Sequence, residues 1–282
     1  MKRNLPLIGL TLIIFVGYLS PTIAAAVDLA LALDNTPEMN IMLVGCHQVS
    51  AANWSNCRQM EEHILQSSVR LLIQTWIAKP DDSGYEFYFS EGHATVKDGR
   101  YLLTHNHFGI PLSIRPGAGT PGGYSNITLF SAEGERLIVS PLTDYRIVYE
   151  EAETLVLGHW EERFLEELGF RSAEFGAWQS LTLKAGMETA QIDWDGATTR
   201  VEWTVIQEVS VEDGVPRLVL ANGTKVGASG GGVFWQGIHV ANNWRLEERL
   251  DANGNVVGAV TTVALNSARV VDPDGQFSTE SS

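Results

Sequence analysis

A serine framed by glycines is the most chemically suggestive group in this sequence. Gly227-Ala228-Ser229-Gly230-Gly231-Gly232 runs directly into the apolar pair Val233-Phe234. Glycines allow a tight turn and let a substrate carbonyl come close to peptide N–H groups. Such N–H groups can hold an oxyanion, each donor being worth about 10²–10³ in rate. The same residues also fit a plain glycine turn or a flexible loop. A serine nucleophile needs an imidazole base. The apolar run Tyr101-Leu102-Leu103-Thr104 ends in His105-Asn106-His107-Phe108 and delivers two histidines to its exit. That pair also fits a metal site on one strand face, with His93 as a third ligand, or two surface histidines. A G-x-S-x-G serine in an α/β-hydrolase is followed by its acid and then its histidine. Here only His239 follows Ser229, with no strand–helix alternation around it. The order present is histidine, acid, serine.

The elements that would hold these residues are mostly strands. Residues 58–67 read as a short helix. Strand-like runs follow at 69–77, 85–89, 93–97, 100–104, 127–131, 136–140, 145–149 and 154–157, separated by turn signals such as Asp98-Gly99. Residues 159–170 (HWEERFLEELGF) read as an acidic helical connector. A second β-rich block covers 178–183, 189–194, 200–209, 216–220, 232–234, 238–241 and 256–263. The expected fold is all-β, two packed antiparallel six-stranded β-barrels. The first spans 65–158 and the second 175–271, joined by a linker at 159–174. Residues 272–282 read as a disordered tail.

The 282 residues carry a net charge of −15, which disfavours nucleic acid and anionic lipid as partners. No P-loop or G-x-G-x-x-G supports a nucleotide fold. Lys2 and Arg3, an apolar run from Leu5 to Leu19, Pro21 and then Ala24-Ala25-Ala26 form the layout of a signal peptide over residues 1–26. An uncleaved anchor is the alternative. The expected location is secreted or periplasmic, with no membrane insertion after cleavage. Residues 27–64 form a leader containing Cys46 and Cys57, the only cysteines, read as one local disulfide. Leu43-Val44-Gly45-Cys46 has the local chemistry of a lipidation site, but Asp28, Asp34, Pro37 and Glu38 separate it from the apolar run.

Four segments together resemble a trypsin/chymotrypsin-fold serine protease of the bacterial exported, high-temperature-requirement type. They are Gly92-His93-Ala94-Thr95-Val96, Leu103-Thr104-His105-Asn106-His107, Thr154-Leu155-Val156-Leu157 and Gly227-Ala228-Ser229-Gly230-Gly231. The resemblance covers about residues 65–268. By the family's T-x-x-H spacing it implies His107, not His105, as base, and Ser229 as nucleophile. It implies the N–H groups of Gly227 and Ser229 as oxyanion donors. Where the family has an Asp opening a short apolar strand, this sequence has Glu153. Asp144 is the competing acid.

Two further departures bear on regulation. Ala228 stands where zymogen-type trypsins carry the Asp that pairs with a new N-terminus, so activation by that route is not expected. The short run after the last strand-like segment leads to the expectation of no appended peptide-binding domain. For specificity, Gly223 holds the place of the trypsin pocket acid, and Asn242 and Asn243 are expected on a pocket wall. The reading is an exported serine endopeptidase acting on a protein or peptide substrate, without cofactor or metal. Its alternatives are an inactive binding protein on the same fold and a hydrolase using a metal at His105 and His107.

Overall fold

Alternation of apolar and polar residues specifies a half-buried strand, and two sheets account for most of the chain. The computed structural model describes residues 54–81, 83–108, 112, 115–116, 122–151 and 153–273. The signal segment, Cys46 and residues from 274 onward lie outside these. Helix α1 (Trp54–Gln66) precedes the first sheet. That sheet contains β1 (Ser68–Ala78), β2 (Tyr85–Lys97), β3 (Tyr101–His105), β4 (Gly123–Phe130), β5 (Arg136–Pro141), β6 (Tyr145–Glu151) and β7 (Thr154–His159), in the order β5-β4-β1-β2-β3-β7-β6. Ile127 on β4, Ile138 near one edge and Ile147 at the other pack into one core with Leu71, Leu102 and Leu157. The sheet is therefore curled so that both edges face the same interior.

The second sheet contains β8 (Glu174–Phe175), β9 (Glu188–Trp194), β10 (Thr199–Glu212), β11 (Val215–Leu220), β12 (Gly232–Trp235), β13 (Ile238–Leu250) and β14 (Val256–Leu265). Its order is β12-β9-β10-β11-β14-β13-β8, and β12 also pairs with β13. Its core gathers Ile206, Leu218, Leu220, Val233, Val240 and Val263. The all-β class is thus the observed one, with seven strands in each sheet rather than six. Residues 85–97 form one continuous strand because β1 pairs with it from Ala78↔Tyr85 to Ser68↔Thr95 and β3 pairs with its end at Val96 and Lys97. The short β8 runs parallel to β13, the one exception to antiparallel pairing among the described strands.

Two local expectations differ. The connector at 159–170 contains only the single helical turn α2 (Phe164–Glu167). Its backbone is tied elsewhere: the Trp160 N–H donates to the Asp144 carbonyl and the Leu165 N–H to the Gly99 carbonyl. Residues 178–183 pair with no strand and begin with a 3₁₀ turn at Trp178–Ser180. The last element is α3 (Ala268–Val271). Among the described residues no helix is long and apolar enough to cross a membrane.

Candidate active site

Strand register brings the histidine pair and Glu153 together. On β3 and β7, His105 is opposite Thr154. Glu153, one residue before Thr154, therefore sits at the end of the sheet where Asn106 and His107 leave it. The two histidines differ in environment. His105 is 2% exposed, whereas His107 is exposed at the exit. Their rings lie 4.0 Å apart between centroids, and the His107 N–H donates to His105 Nδ1 at 3.2 Å. Burial holds His105 well below the usual histidine range, reinforced by the neighbouring His107 and His93. Partial burial also lowers His107, while the Glu153 charge raises it. Beyond His107 the chain is anchored by the buried Arg115, which donates to the Phe108 carbonyl at 2.8 Å and to Thr75 Oγ1 at 2.7 Å.

Ser229 lies in the loop between β11 and β12, half-buried. Its carbonyl accepts the His93 N–H at 2.8 Å, joining the loop to the first sheet. The Gly230 N–H donates to the Asn243 carbonyl, and the Asn243 N–H to the Gly231 carbonyl, joining it to β13. Gly230 has φ +78°, and a Cβ there would lie 2.3 Å from the His93 carbonyl oxygen and 2.4 Å from Thr104 Oγ1. No other residue fits that approach. Thr104 itself donates to the His93 carbonyl at 2.6 Å, which explains the threonine of the T-x-x-H pattern.

The proposed oxyanion donors flank one fixed peptide. The Gly227 carbonyl lies 2.8 Å from His93 Nδ1, and the Ala228 N–H donates to the Lys225 carbonyl. A carbonyl only accepts, so His93 carries its proton on Nδ1. His93 Nε2 then accepts from the Thr199 hydroxyl at 2.9 Å. Burial pushes this histidine down to about 4, opposed by its bond to Gly227. The N–H groups of Gly227 and Ser229 donate to no group among the described residues. Two unengaged N–H donors thus belong to the loop that carries Ser229.

The remaining residues sort by position. Glu153 is paired with Arg217 of the second sheet, Oε1 lying 2.7 Å from Nη2. Its other oxygen, Oε2, is buried without a hydrogen-bond partner. No hydrogen bond joins the His107 ring to Glu153 or to Ser229 in this structure. Catalytic hydrogen bonds are often long before substrate binds. Asp144 belongs to a different neighbourhood, acting electrostatically on His159 and Tyr145. Asn242 and Asn243 are both 1% exposed. Asn243 Nδ2 donates to the Ile192 carbonyl, while both polar atoms of the Asn242 amide are buried without a partner. Gly223 is backed by Ala259 and Leu246, at 2.4 and 2.6 Å from where its Cβ would be.

Among the described residues no three His, Cys, Asp or Glu side chains gather as metal ligands. Both ring nitrogens of His93, the third ligand considered for a metal, are already engaged. Residue patterns did not single out Arg115, Thr199 or Arg217; His93 stood in a family-like segment, with metal ligation the one role suggested for its ring. A cavity of about 460 Å³ lined by Arg58, Glu61, Leu137 and Phe170 contains none of these groups.

No protein-family model matches this chain, and no curated protein matches it. Among solved structures it is similar to the HtrA-type protease AlgW, solved as a serine-to-alanine variant with a decapeptide. The identity is 15% and the TM-score 0.50, over 76% of this chain and 63% of that one. It is also similar to the inactive form of Rv3671c from M. tuberculosis H37Rv, at 13% identity and TM-score 0.46 over 78% and 91% of the two chains. Deg5 matches at 14% identity and TM-score 0.48, over 76% and 90%. The chain spans about 63% of the length of AlgW. The likeness to AlgW concerns the backbone: this chain has the all-β trypsin-like fold found in HtrA-type serine proteases.

Proposed function

We propose that this protein is an exported serine endopeptidase, with Ser229 as nucleophile, His107 as base and Glu153 as the acid that orients it. The observation that carries the reading is the pair of free N–H groups beside Ser229, on a loop fixed to both sheets. In the reaction, Ser229 Oγ attacks the scissile carbonyl carbon and its proton passes to His107. The carbonyl oxygen becomes an oxyanion held by the N–H groups of Gly227 and Ser229. Collapse breaks the C–N bond, and His107 returns the proton to the leaving amine. Water, giving its proton to His107, then attacks the acyl–Ser229 ester, and His107 passes that proton to the Ser229 oxygen as the C–O bond breaks and the acid leaves. Glu153 accepts a hydrogen bond from the far ring nitrogen of His107 and selects the tautomer that can take the serine proton.

Support for a peptide substrate comes from AlgW, which was solved with a decapeptide. Export, cleavage after Ala26 and a Cys46–Cys57 bridge belong to the same reading; the unreduced intact mass of the exported protein checks them together. Cys57 is buried at 7% exposure on α1.

The catalytic reading is tested with a fluorophosphonate probe and a casein substrate. Ser229 should be labelled, and Ser229→Ala should abolish both labelling and hydrolysis while the melting temperature is kept. A folded wild-type protein that neither labels nor cleaves, yet retains peptide binding, would favour a binding protein on this fold. The unformed His107–Ser229 hydrogen bond is the observation behind that second reading.

A further inference from the structure

Glu153 and Arg217 come from different sheets, and their pairing is set by how those sheets dock. Arg217 lies on β11 and is 3% exposed. Its Nη2 donates to Glu153 Oε1 at 2.7 Å, and its Nε lies 3.0 Å from Glu212 Oε2. The flat guanidinium stacks on Trp244, 3.9 Å from the ring centroid. Trp244 directly follows Asn243, whose backbone holds Gly230 and Gly231 of the nucleophile loop. Arg217 therefore contacts the acid on one side and, on the other, the strand that fixes the nucleophile loop.

A buried carboxylate requires a counter-charge or hydrogen-bond donors. It also has rotational freedom to lose, and Glu has one more torsion than the Asp of the related proteases. An arginine fork is well suited to remove that freedom, because its donors are planar and directional. In this structure it occupies only one carboxylate oxygen. The other, Glu153 Oε2, is buried without a partner among the described residues, and the carboxylate charge as a whole raises the His107 ring's affinity for a proton.

Building on the catalytic reading above, we infer that Arg217 is a positioning residue: it fixes Glu153 through Oε1 so that Oε2 is the acceptor for the His107 ring N–H. Arg217 touches no reacting atom; it acts through the glutamate. The opposite role, a latch that withholds the acid from the base, uses the same ion pair and predicts the opposite sign.

The test is a double-mutant cycle on the full-length protein, read as kcat and KM on a peptide substrate with active sites counted by fluorophosphonate labelling. Arg217→Met should lower kcat per labelled site by about 10–10², the scale expected when a catalytic group shifts by about 1 Å. KM should change little. Arg217→Lys keeps the charge without the fork and should fall between. In a Glu153→Gln background, adding Arg217→Met should cost nothing further. That double variant also leaves no unpaired buried charge, so the comparison survives if Arg217→Met alone does not fold.

A rise in kcat for Arg217→Met would overturn the inference in favour of a latch. An equal loss of kcat in the Glu153→Gln background, or an unchanged kcat with a lower melting temperature, would make Arg217 merely structural. If Glu153→Gln is itself fully active while Ser229 still labels, it is the assignment of the acid that fails.

Discussion

His105 and His107 are separated by one residue and have opposite relations to water. His105 fills the space beneath the nucleophile loop; His107 stands at the surface with one face on His105. The first is committed to packing and the second is free to exchange protons. We expect His107→Ala to remove nearly all hydrolysis, and combining it with Ser229→Ala to cost little more, since triad members act as a unit. His105→Ala should keep much of the turnover but lose about 2–4 kcal/mol of stability, as for other large buried side chains cut to alanine. In the proposed mechanism His107 must be neutral to accept the serine proton. Its affinity for that proton is lowered by burial more than Glu153 raises it. The acid limb of kcat/KM should therefore have its midpoint below the unperturbed value of about 6.5. A limb centred above 7 would contradict this assignment. The T-x-x-H spacing and the glycine-framed serine were legible because each is local in sequence. Arg217 was not, since nothing near it in the chain points to Glu153, 64 positions earlier.

Strands carry the second layer of the site. β2 supplies His93, whose ring fixes the Gly227 carbonyl and whose N–H fixes that of Ser229. β13 supplies His239, fully buried against Phe175 and Phe234 and pushed down to about 3 by burial. For both histidines the folded affinity for a proton lies below the unfolded one. Between about pH 6.5 and 4 the unfolded chain takes up protons that the folded chain refuses. Stability is then complete above pH 6.5 and lost as pH falls, by about 1.4 kcal/mol per pH unit for each such histidine. Urea melts from pH 7.5 to 4.5 should show this slope, and His93→Gln should reduce it. A stability independent of pH over that range would show that these rings are not buried neutral.

Most strands could be read from alternation, and two errors share a cause. The segment 159–170 has Trp160, Phe164, Leu165 and Leu168 at helical spacing. Its backbone bonds are nevertheless taken by Asp144 and Gly99, which sequence periodicity cannot reveal. The alternation at 178–183 likewise finds no partner strand: it opens in a 3₁₀ turn whose Trp178 N–H donates to the Asn266 carbonyl.

At the scale of the whole molecule, two curled sheets are joined around the Ser229 loop. The carbonyl of Ser229 is bonded to the first sheet, and the residues just after it to the second. Thr199 on β10 meets His93 on β2, and Arg217 on β11 meets Glu153 beside β7. The order of motifs made the two-sheet fold legible, but not the docking that creates these cross-contacts. A protein with such seams should lose activity and structure together: loss of hydrolysis and loss of far-ultraviolet ellipticity should follow the same curve on slow heating. Activity vanishing ten degrees earlier would mean that the sheets part before they melt.

The bond from His93 to the Ser229 carbonyl carries that coupling in the other direction as well. A molecule that reacts covalently with Ser229 occupies a loop stitched to both halves of the fold. Such an inhibitor would act as a rivet, and its benefit would reach residues it never touches. Amide hydrogens on β2 and β13 alike should then exchange more slowly once the serine is occupied.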